Sequence, residues 1–496
     1  MSQKSARVDA CWKRRRFFAP LVASVATTFA VAAMAQSGGA QQGSSSQRSR
    51  ARGQTKDQGR SSQGQGTPSQ GAGSQSPGAG GAATQAPLGP DVQLSCCQAK
   101  LQAAGKEHTC VVTGGQLKCW GSNEFGQLGV NCASARETRP MAVADVAGVV
   151  SVSASYHTCV ATSEGRVVCW GENGKGQLGA PAQSIGGSGS QSGSGGAGQA
   201  TGGASQGQAT SGQASQGGGA QGSSGAVLQT NPAASCVKVT VPGIADAAAV
   251  SVGREHSCAL SRAGAVRCWG NNASGQLGDG TKKSSHIPVA VVGLSRGIVA
   301  LALGREFSCA LTDRGAVLCW GKNDHGTLGD GSESKRNTPG PVAVVTRAVR
   351  EIAAGREHAC ALTSAGGLKC WGYNHKGRLG DGTETNRKTP VDALGLTSGV
   401  VAMALGREHT CARLAAGGLK CWGKNDSGQL GDGGRTNRGV PGDVADHASG
   451  VEWVTAGGFH TCAKSAGGMK CWGYNNRGQL GDGTTSDRKL PVRVVE

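Results

Sequence analysis

Fourteen cysteines fall into seven pairs: Cys110/Cys119, Cys159/Cys169, Cys258/Cys268, Cys309/Cys319, Cys360/Cys370, Cys411/Cys421 and Cys462/Cys471. Each second cysteine is followed by Trp-Gly, as in "HSCALSRAGAVRCWGNNASGQLGDG" from His256 to Gly280. Six units also place a histidine two residues before the first cysteine: His108, His157, His256, His358, His409 and His460. Such residues can hold a metal, exchange electrons or form disulfides. Zinc sites favour Cys-x2–4-Cys spacings, which these pairs lack, and no Cys-x-x-Cys redox motif occurs. Disulfides are therefore expected, with no metal and no cofactor. The histidines are read as local hydrogen-bonding groups that fix a turn.

The elements that carry the cysteines support that choice. With Arg262-Ala263-Gly264 as a three-residue turn, Ser261 faces Ala265 and Cys258 falls opposite Cys268. Cys110 and Cys119 are one residue closer around the two-residue turn Gly114-Gly115, a strong hairpin signal. Cys462 and Cys471 behave likewise around Ala466-Gly467. Directly opposed residues of a hairpin approach disulfide range.

The first cysteines recur at intervals of 49, 99, 51, 51, 51 and 51 residues, and the long interval contains a low-complexity insertion. One unit reads as four short strands: "HSCALS", "AVRCWG", "PVAVVGL" and "GIVALALG". Each run is rich in Val, Ala, Leu or Ile and bounded by turn residues. Four strands in each of seven units predict an all-β, seven-bladed β-propeller. The C-terminal "LPVRVVE" is expected to complete a blade begun by the N-terminal strand near "KLQAAGKEHTC", with "GPDVQL" near Pro90 as a competitor for that place.

The chain has 496 residues, 85 of them glycine, and a formal net charge of +19. The basic excess favours acidic partners or surfaces without specifying a fold. Lys13 to Arg16, the apolar run Phe17–Val31 and Ala33-Met34-Ala35 together read as a cleavable export signal over residues 1–35. The apolar run is shorter than the ~20 residues of a spanning helix, and a twin-arginine signal is only weakly resembled. No span is expected in the mature chain, and a periplasmic, cell-surface or extracellular location follows. Thiols oxidise in such compartments. Residues 36–92 read as a Gly/Ser/Gln linker and 93–496 as the propeller. Residues 183–234 read as a disordered insertion between blades 2 and 3.

Four further mature cysteines remain. Cys132 and Cys236 are expected to clamp the base of the insertion, whereas Cys96 and Cys97 have no assigned partners. Strand parity puts the "GREH" turns and the long "NxxGQLGDGT" loops on one face. Arg254, Arg305, Arg356 and Arg407 share one turn position there. They read either as a solvated rim paired with Glu255, Glu306, Glu357 and Glu408, or as a face for a protein or polyanion. Tyr156, Phe307 and Phe459 break the turn pattern and are candidate contact residues, or packing residues beneath the loops. No nucleophile elbow, zinc helix or phosphate loop occurs, so no catalytic residue is assigned. The recurring carboxylates Asp279, Asp330, Asp381, Asp432 and Asp482 read as turn-makers.

The phrase Cys-Trp-Gly-x-Asn-x-x-Gly-x-Leu-Gly-Asp-Gly recurs as "CWGKNDHGTLGDG", "CWGYNHKGRLGDG", "CWGKNDSGQLGDG" and "CWGYNNRGQLGDG". With the "GREHTCARL"-type segments, it resembles the regulator of chromosome condensation repeat family from about Leu94 to Glu496. The resemblance implies the seven-bladed propeller. It also brings two functional precedents, a guanine-nucleotide exchange factor acting on a GTPase and a secreted β-lactamase inhibitor. The wedge that the exchange factors project is missing here. The reading favoured by the sequence is an exported, non-enzymatic scaffold that binds a protein or anionic surface polymer through one basic face. No nucleic-acid partner is expected. A hydrolase or lyase using loop carboxylates is the minor alternative.

Overall fold

The computed structural model describes residues 100–181, 237–345 and 348–495. Seven sheets of four antiparallel strands follow one another along the chain. In the fourth blade the strands are Ile298–Leu303, Phe307–Thr312, Val317–Gly321 and Arg336–Pro341, from innermost to outermost. The inner strand, IVALAL, is built of small and branched residues and lines the axis of the ring. The outer strands carry Pro140, Pro288, Pro339, Pro390, Pro441 and Pro491 in six blades. Proline removes a backbone donor, so it suits an edge strand and blocks pairing with another chain.

The blades differ in phase from the expectation. Each begins with the strand before the "GREH" turn and ends with the strand after the long loop. Gln102–Ala104 is thus the inner strand of the first blade, and Arg488–Arg493 is the outer strand of the seventh. No strand is exchanged between chain ends among the described residues. "GPDVQL" lies outside the described residues. Side chains and loops close the ring instead. The indole of Trp120 donates to the Gln479 carbonyl at 2.9 Å, and the Gly458 N–H donates to the Gly105 carbonyl at 2.9 Å.

The signal and linker over residues 1–92, and the expected insertion, also lie outside the described residues. The strands flanking the insertion, Val167–Gly171 and Val239–Thr240, pair within the second sheet. The interval therefore falls inside blade 2, between its third and fourth strands, and not between blades 2 and 3.

The cysteine register is as expected. Cys258 faces Cys268, and the other six pairs are likewise opposed. The seven disulfides are Cys110–Cys119, Cys159–Cys169, Cys258–Cys268, Cys309–Cys319, Cys360–Cys370, Cys411–Cys421 and Cys462–Cys471, with Cα atoms 4.1–4.2 Å apart. Closed hairpin loops of this length contribute about 2–3 kcal/mol each.

Two properties of these pairs go beyond the hairpin reading. The second cysteine also faces the outer strand: Cys169 opposes Val239, Cys370 opposes Val391 and Cys421 opposes Gly442. The outer-strand register then shifts directly after Cys370 and Cys421. All fourteen cysteines are also buried at the blade centres. Cys169, Cys370 and Cys421, like their partners, therefore belong to no site that a binding partner could reach. The tryptophan of the following blade covers each pair. Trp269 packs with Cys159 and Cys169, Trp422 with Cys360 and Cys370, and Trp472 with Cys411 and Cys421. Trp120 packs with Cys462 and Cys471 across the closure of the ring.

Two glycine positions explain the Trp-Gly and Leu-Gly dipeptides. Gly321 has φ +108°, and a Cβ there would stand 2.5 Å from the Glu306 carbonyl oxygen. Gly329 has φ +68°, and a Cβ there would stand 2.7 Å from the Trp371 indole nitrogen. The first glycine lets the strand leave the turn; the second admits the next blade's tryptophan.

Candidate binding face and axial channel

The histidines belong to a belt between blades. The imidazole Nε2 of His409 meets the Thr461 hydroxyl at 2.9 Å, and that hydroxyl donates to the Gln429 carbonyl at 2.9 Å. Because the hydroxyl proton is used on the carbonyl, Nε2 must be the donor to the hydroxyl. The pattern repeats for His108–Thr158, His157–Ser257, His256–Ser308, His358–Thr410 and His460–Thr109. The same loop carbonyls also accept the tryptophan indoles, for example Trp472 to Gln429 at 3.0 Å. All six rings are fully buried. Burial lowers His108, His157, His256 and His460 to about 3 and His409 to about 4. These are neutral structural side chains.

Phe307 holds the histidine position in blade 4 and is 1% exposed. Its expected role as a partner-contacting residue is therefore withdrawn: no partner reaches a side chain packed between blades. The residue across the junction is Ala359, where the other blades place Ser or Thr.

The long loops are organised by their asparagines. In all seven blades the Asn side-chain oxygen accepts the N–H of the leucine five residues on, at 2.8–3.0 Å. The asparagine amide also reaches the recurring aspartate, as in Asn374 to Asp381 at 3.0 Å. Burial works to raise Asp381 and Asp482. Hydrogen bonds from Arg387 and Thr383, and from Thr484 and Arg488, outweigh it and hold both carboxyls below their ordinary range. The carboxylates make turns, as expected. Many loop cations are used the same way, including Arg387 on Asp381 at 2.7 Å and Arg488 on Asp482 at 2.8 Å. Lys282, Lys283 and Lys489 are exposed and make no ion pair among the described residues.

Nearer the axis, Arg305 bridges to Glu357 of the next blade at 3.2 Å, and Arg356 to Glu408 at 3.5 Å. Where the following blade lacks glutamate, the cation sits over an aromatic ring. Arg407 stands 5.4 Å from the Phe459 centroid, and Lys106 stands 4.9 Å from that of Tyr156. Arg254 also lies over Tyr156, at 5.4 Å. Tyr156 and Phe459 are half-buried and thus substitute for the missing carboxylates. The paired-rim reading accounts for these contacts.

Two features escaped the sequence. His325 stacks on Tyr373 with centroids 4.4 Å apart, and the Arg378 guanidinium lies 4.7 Å from the Tyr373 ring. The signal was present in "CWGYNHKGR", the one loop where Arg replaces the Gln or Thr seen at that position elsewhere. The second feature is a cavity of about 310 Å³ on the axis, lined by the inner strands of all seven blades. Cys132 is disulfide-bonded; Cys236, its expected partner, lies outside the described residues. No three His, Cys, Asp or Glu side chains converge to hold a metal among the described residues, and none of the described helices is long and apolar enough to cross a membrane.

Seven successive four-stranded antiparallel blades define a seven-bladed β-propeller. The RCC1-like domain model matches residues 202–496, and the regulator of chromosome condensation (RCC1) repeat model matches residues 103–127 and 149–177. The chain belongs to the RCC1-like family. It is 35% identical over 215 residues to the human protein named probable E3 ubiquitin-protein ligase HERC4, covering 42% of this chain and 20% of that one. It is 34% identical over 221 residues to the ultraviolet-B receptor UVR8 of Arabidopsis thaliana, covering 44% of this chain and 50% of that one. The chain thus spans half or less of the length of these relatives. Among solved structures, Prp20p of Saccharomyces cerevisiae matches with a TM-score of 0.60 and 21% identity, over 82% of this chain and 89% of that one. Human WBSCR16 matches at 0.58 and 22%, over 74% and 87%. At such identities the likeness speaks for the fold alone.

Proposed function

We propose that the protein is an exported, non-enzymatic scaffold that binds a protein or an anionic surface polymer through its long-loop face. The observation that carries export is the set of seven buried disulfides, one per blade. A reducing compartment would keep such thiols apart. The observation that favours the long-loop face is its supply of exposed cations, Lys282, Lys283 and Lys489, beside partly exposed rings, Tyr156, Phe459 and Tyr373. Aromatic anchors among charges are typical of protein recognition.

A second reading, an exchange-factor-like regulator of a GTPase, follows from the family resemblance; the yeast Prp20p structure was described together with its binding to Gsp1p and histones. A third, a secreted enzyme inhibitor of the β-lactamase-inhibitor type, shares the exported compartment with the first. Intact mass of the protein recovered from its producing cell, alkylated with and without reduction, separates the compartments. A chain starting at Gln36 and carrying at least seven disulfides supports export. A full-length chain with free thiols overturns it and favours the GTPase reading. The face itself is tested by retention on an anionic polymer matrix. Lys282→Ser, Lys283→Ser and Lys489→Ser together, with Tyr373→Ala, should release the protein at lower salt; unchanged retention rejects this face.

A further inference from the structure

The axial cavity has a chemical polarity that the fold alone does not require. At its long-loop end the wall includes Lys106, Arg254, Arg305, Arg356 and Arg407. Each directly follows the glycine that ends an inner strand. Their sequence neighbours Glu107, Glu255, Glu306, Glu357 and Glu408 do not line the cavity. The cations thus stand at the wall of the cavity, and the glutamates that pair with them, such as Glu306 and Glu357 on Arg305 and Glu357 and Glu408 on Arg356, stand behind it. Burial lowers the Arg407 guanidinium; the charges of Arg356 and of Arg254, three blades away, add to it, while Tyr156 and Glu408 oppose it. Glu351 and Glu452 line the cavity farther along, on inner strands that end at the cationic mouth.

The guanidinium groups also have donors to spare. The Nε atoms of Arg254, Arg305, Arg356 and Arg407 face the neighbouring glutamates at 3.2, 3.2, 3.8 and 4.0 Å. Arg305 and Arg356 each spend Nη1 on the next blade's glutamate, which leaves their Nη2 groups, and both Nη groups of Arg254 and Arg407, as the donors available to a ligand. Each guanidinium carries five N–H groups in a planar fork suited to phosphate-type oxygens. A cavity of about 310 Å³ is at the small end of ligand pockets.

We propose that the long-loop mouth of the axial channel binds one small polyvalent anion bearing phosphate-type oxygens, held by Arg254, Arg305, Arg356, Arg407 and Lys106. The anion relieves the repulsion among the converging cations and takes up their unused donors. This site goes beyond the scaffold reading: it lies on the axis, inside the loop rim, and stands whether or not the rim has a macromolecular partner.

The test is titration calorimetry of the full oxidised chain with inorganic tripolyphosphate. One anion per chain is expected. Arg305→Gln and Arg356→Gln should each weaken binding about tenfold, whereas the rim variant Lys282→Ser/Lys283→Ser/Lys489→Ser should change it little. A measurement on the unaltered protein guards against variants that fail to fold. Tripolyphosphate should protect the axial arginines from phenylglyoxal more than Arg262 or Arg435, as read by peptide mass spectrometry. Absence of both heat and selective protection overturns the proposal. So does binding of several anions per chain that the rim variant abolishes. Long-chain polyphosphate distinguishes the source of the oxygens: if it alone binds, the protein reads a polymer by its rim and the axial site is rejected.

Discussion

Six blade junctions carry a histidine–hydroxyl pair, and the junction between blades 4 and 5 carries Phe307 against Ala359. Both kinds keep the tryptophan, the loop carbonyl it donates to and the disulfide beneath it. At a histidine junction the carbonyl receives two side-chain donors; Gln276 takes Ser308 and Trp320. At the phenylalanine junction Thr327 takes Trp371 as its side-chain donor. The polar relay has been replaced as a unit, its donor by an apolar ring and its acceptor by a methyl group. Buried polar groups are costly when half-satisfied and dispensable when both partners are removed.

The largest expected effect lies on what the junctions share. Trp320→Ala should cost about 3–5 kcal/mol through lost packing. Trp371→Ala should cost about 1 kcal/mol more, because it also strips Thr327 of its side-chain donor. Equal denaturation midpoints for the two variants would remove the distinction.

Converting one kind of junction into the other comes next. Phe307→His places a buried imidazole against Ala359 and should cost about 1–3 kcal/mol. Adding Ala359→Thr should restore most of the loss, giving a favourable coupling in a double-mutant cycle. Additive losses would show that the relay does not act as a unit.

Acid should separate the junctions as well. An unfolded histidine titrates near 6.5, and the folded rings titrate at about 3 or about 4. The unfolded chain thus binds more protons in this window. Histidine-linked stability is complete above pH 6.5 and is lost as pH falls toward 3. The Phe307→His/Ala359→Thr protein, with a seventh ring, should lose stability more steeply over that window. Identical pH profiles would contradict a buried neutral imidazole at the new junction.

The smallest effect belongs to the outer rim. Lys420→Ala should change stability by less than about 0.5 kcal/mol, since its partner Asp443 is 81% exposed. A larger loss in thermal unfolding would mean that this exposed pair contributes more than solvent screening allows.

The architecture was legible because the repeat prints the same turn chemistry seven times, and hairpin geometry then fixes which cysteines meet. Their depth was not: the burial of Cys169, Cys370 and Cys421 comes from the tryptophan of the next blade, which no single hairpin contains. The blade phase was hidden too, since a cyclic repeat reads equally well from any strand. The closing strand was misplaced for that reason. Phe307 was read by the turn it follows instead of the position it fills. Its burial was written in Ala359, the one residue of its set without a hydroxyl. The axial convergence of Arg254 and Arg407 depends on ring curvature, which one repeat does not encode.

Each described pair of bonded cysteines consists of neighbours along the chain, nine or ten residues apart. Fourteen thiols admit a very large number of mispaired isomers, yet here the native partner is always the next cysteine to emerge. Each of these seven bonds therefore closes within a single hairpin, and the competing thiols are chiefly those outside the pairs: Cys96, Cys97, Cys132 and Cys236. Replacing those four with serine should speed correct oxidative refolding, read as the rate at which the seven native bonds form.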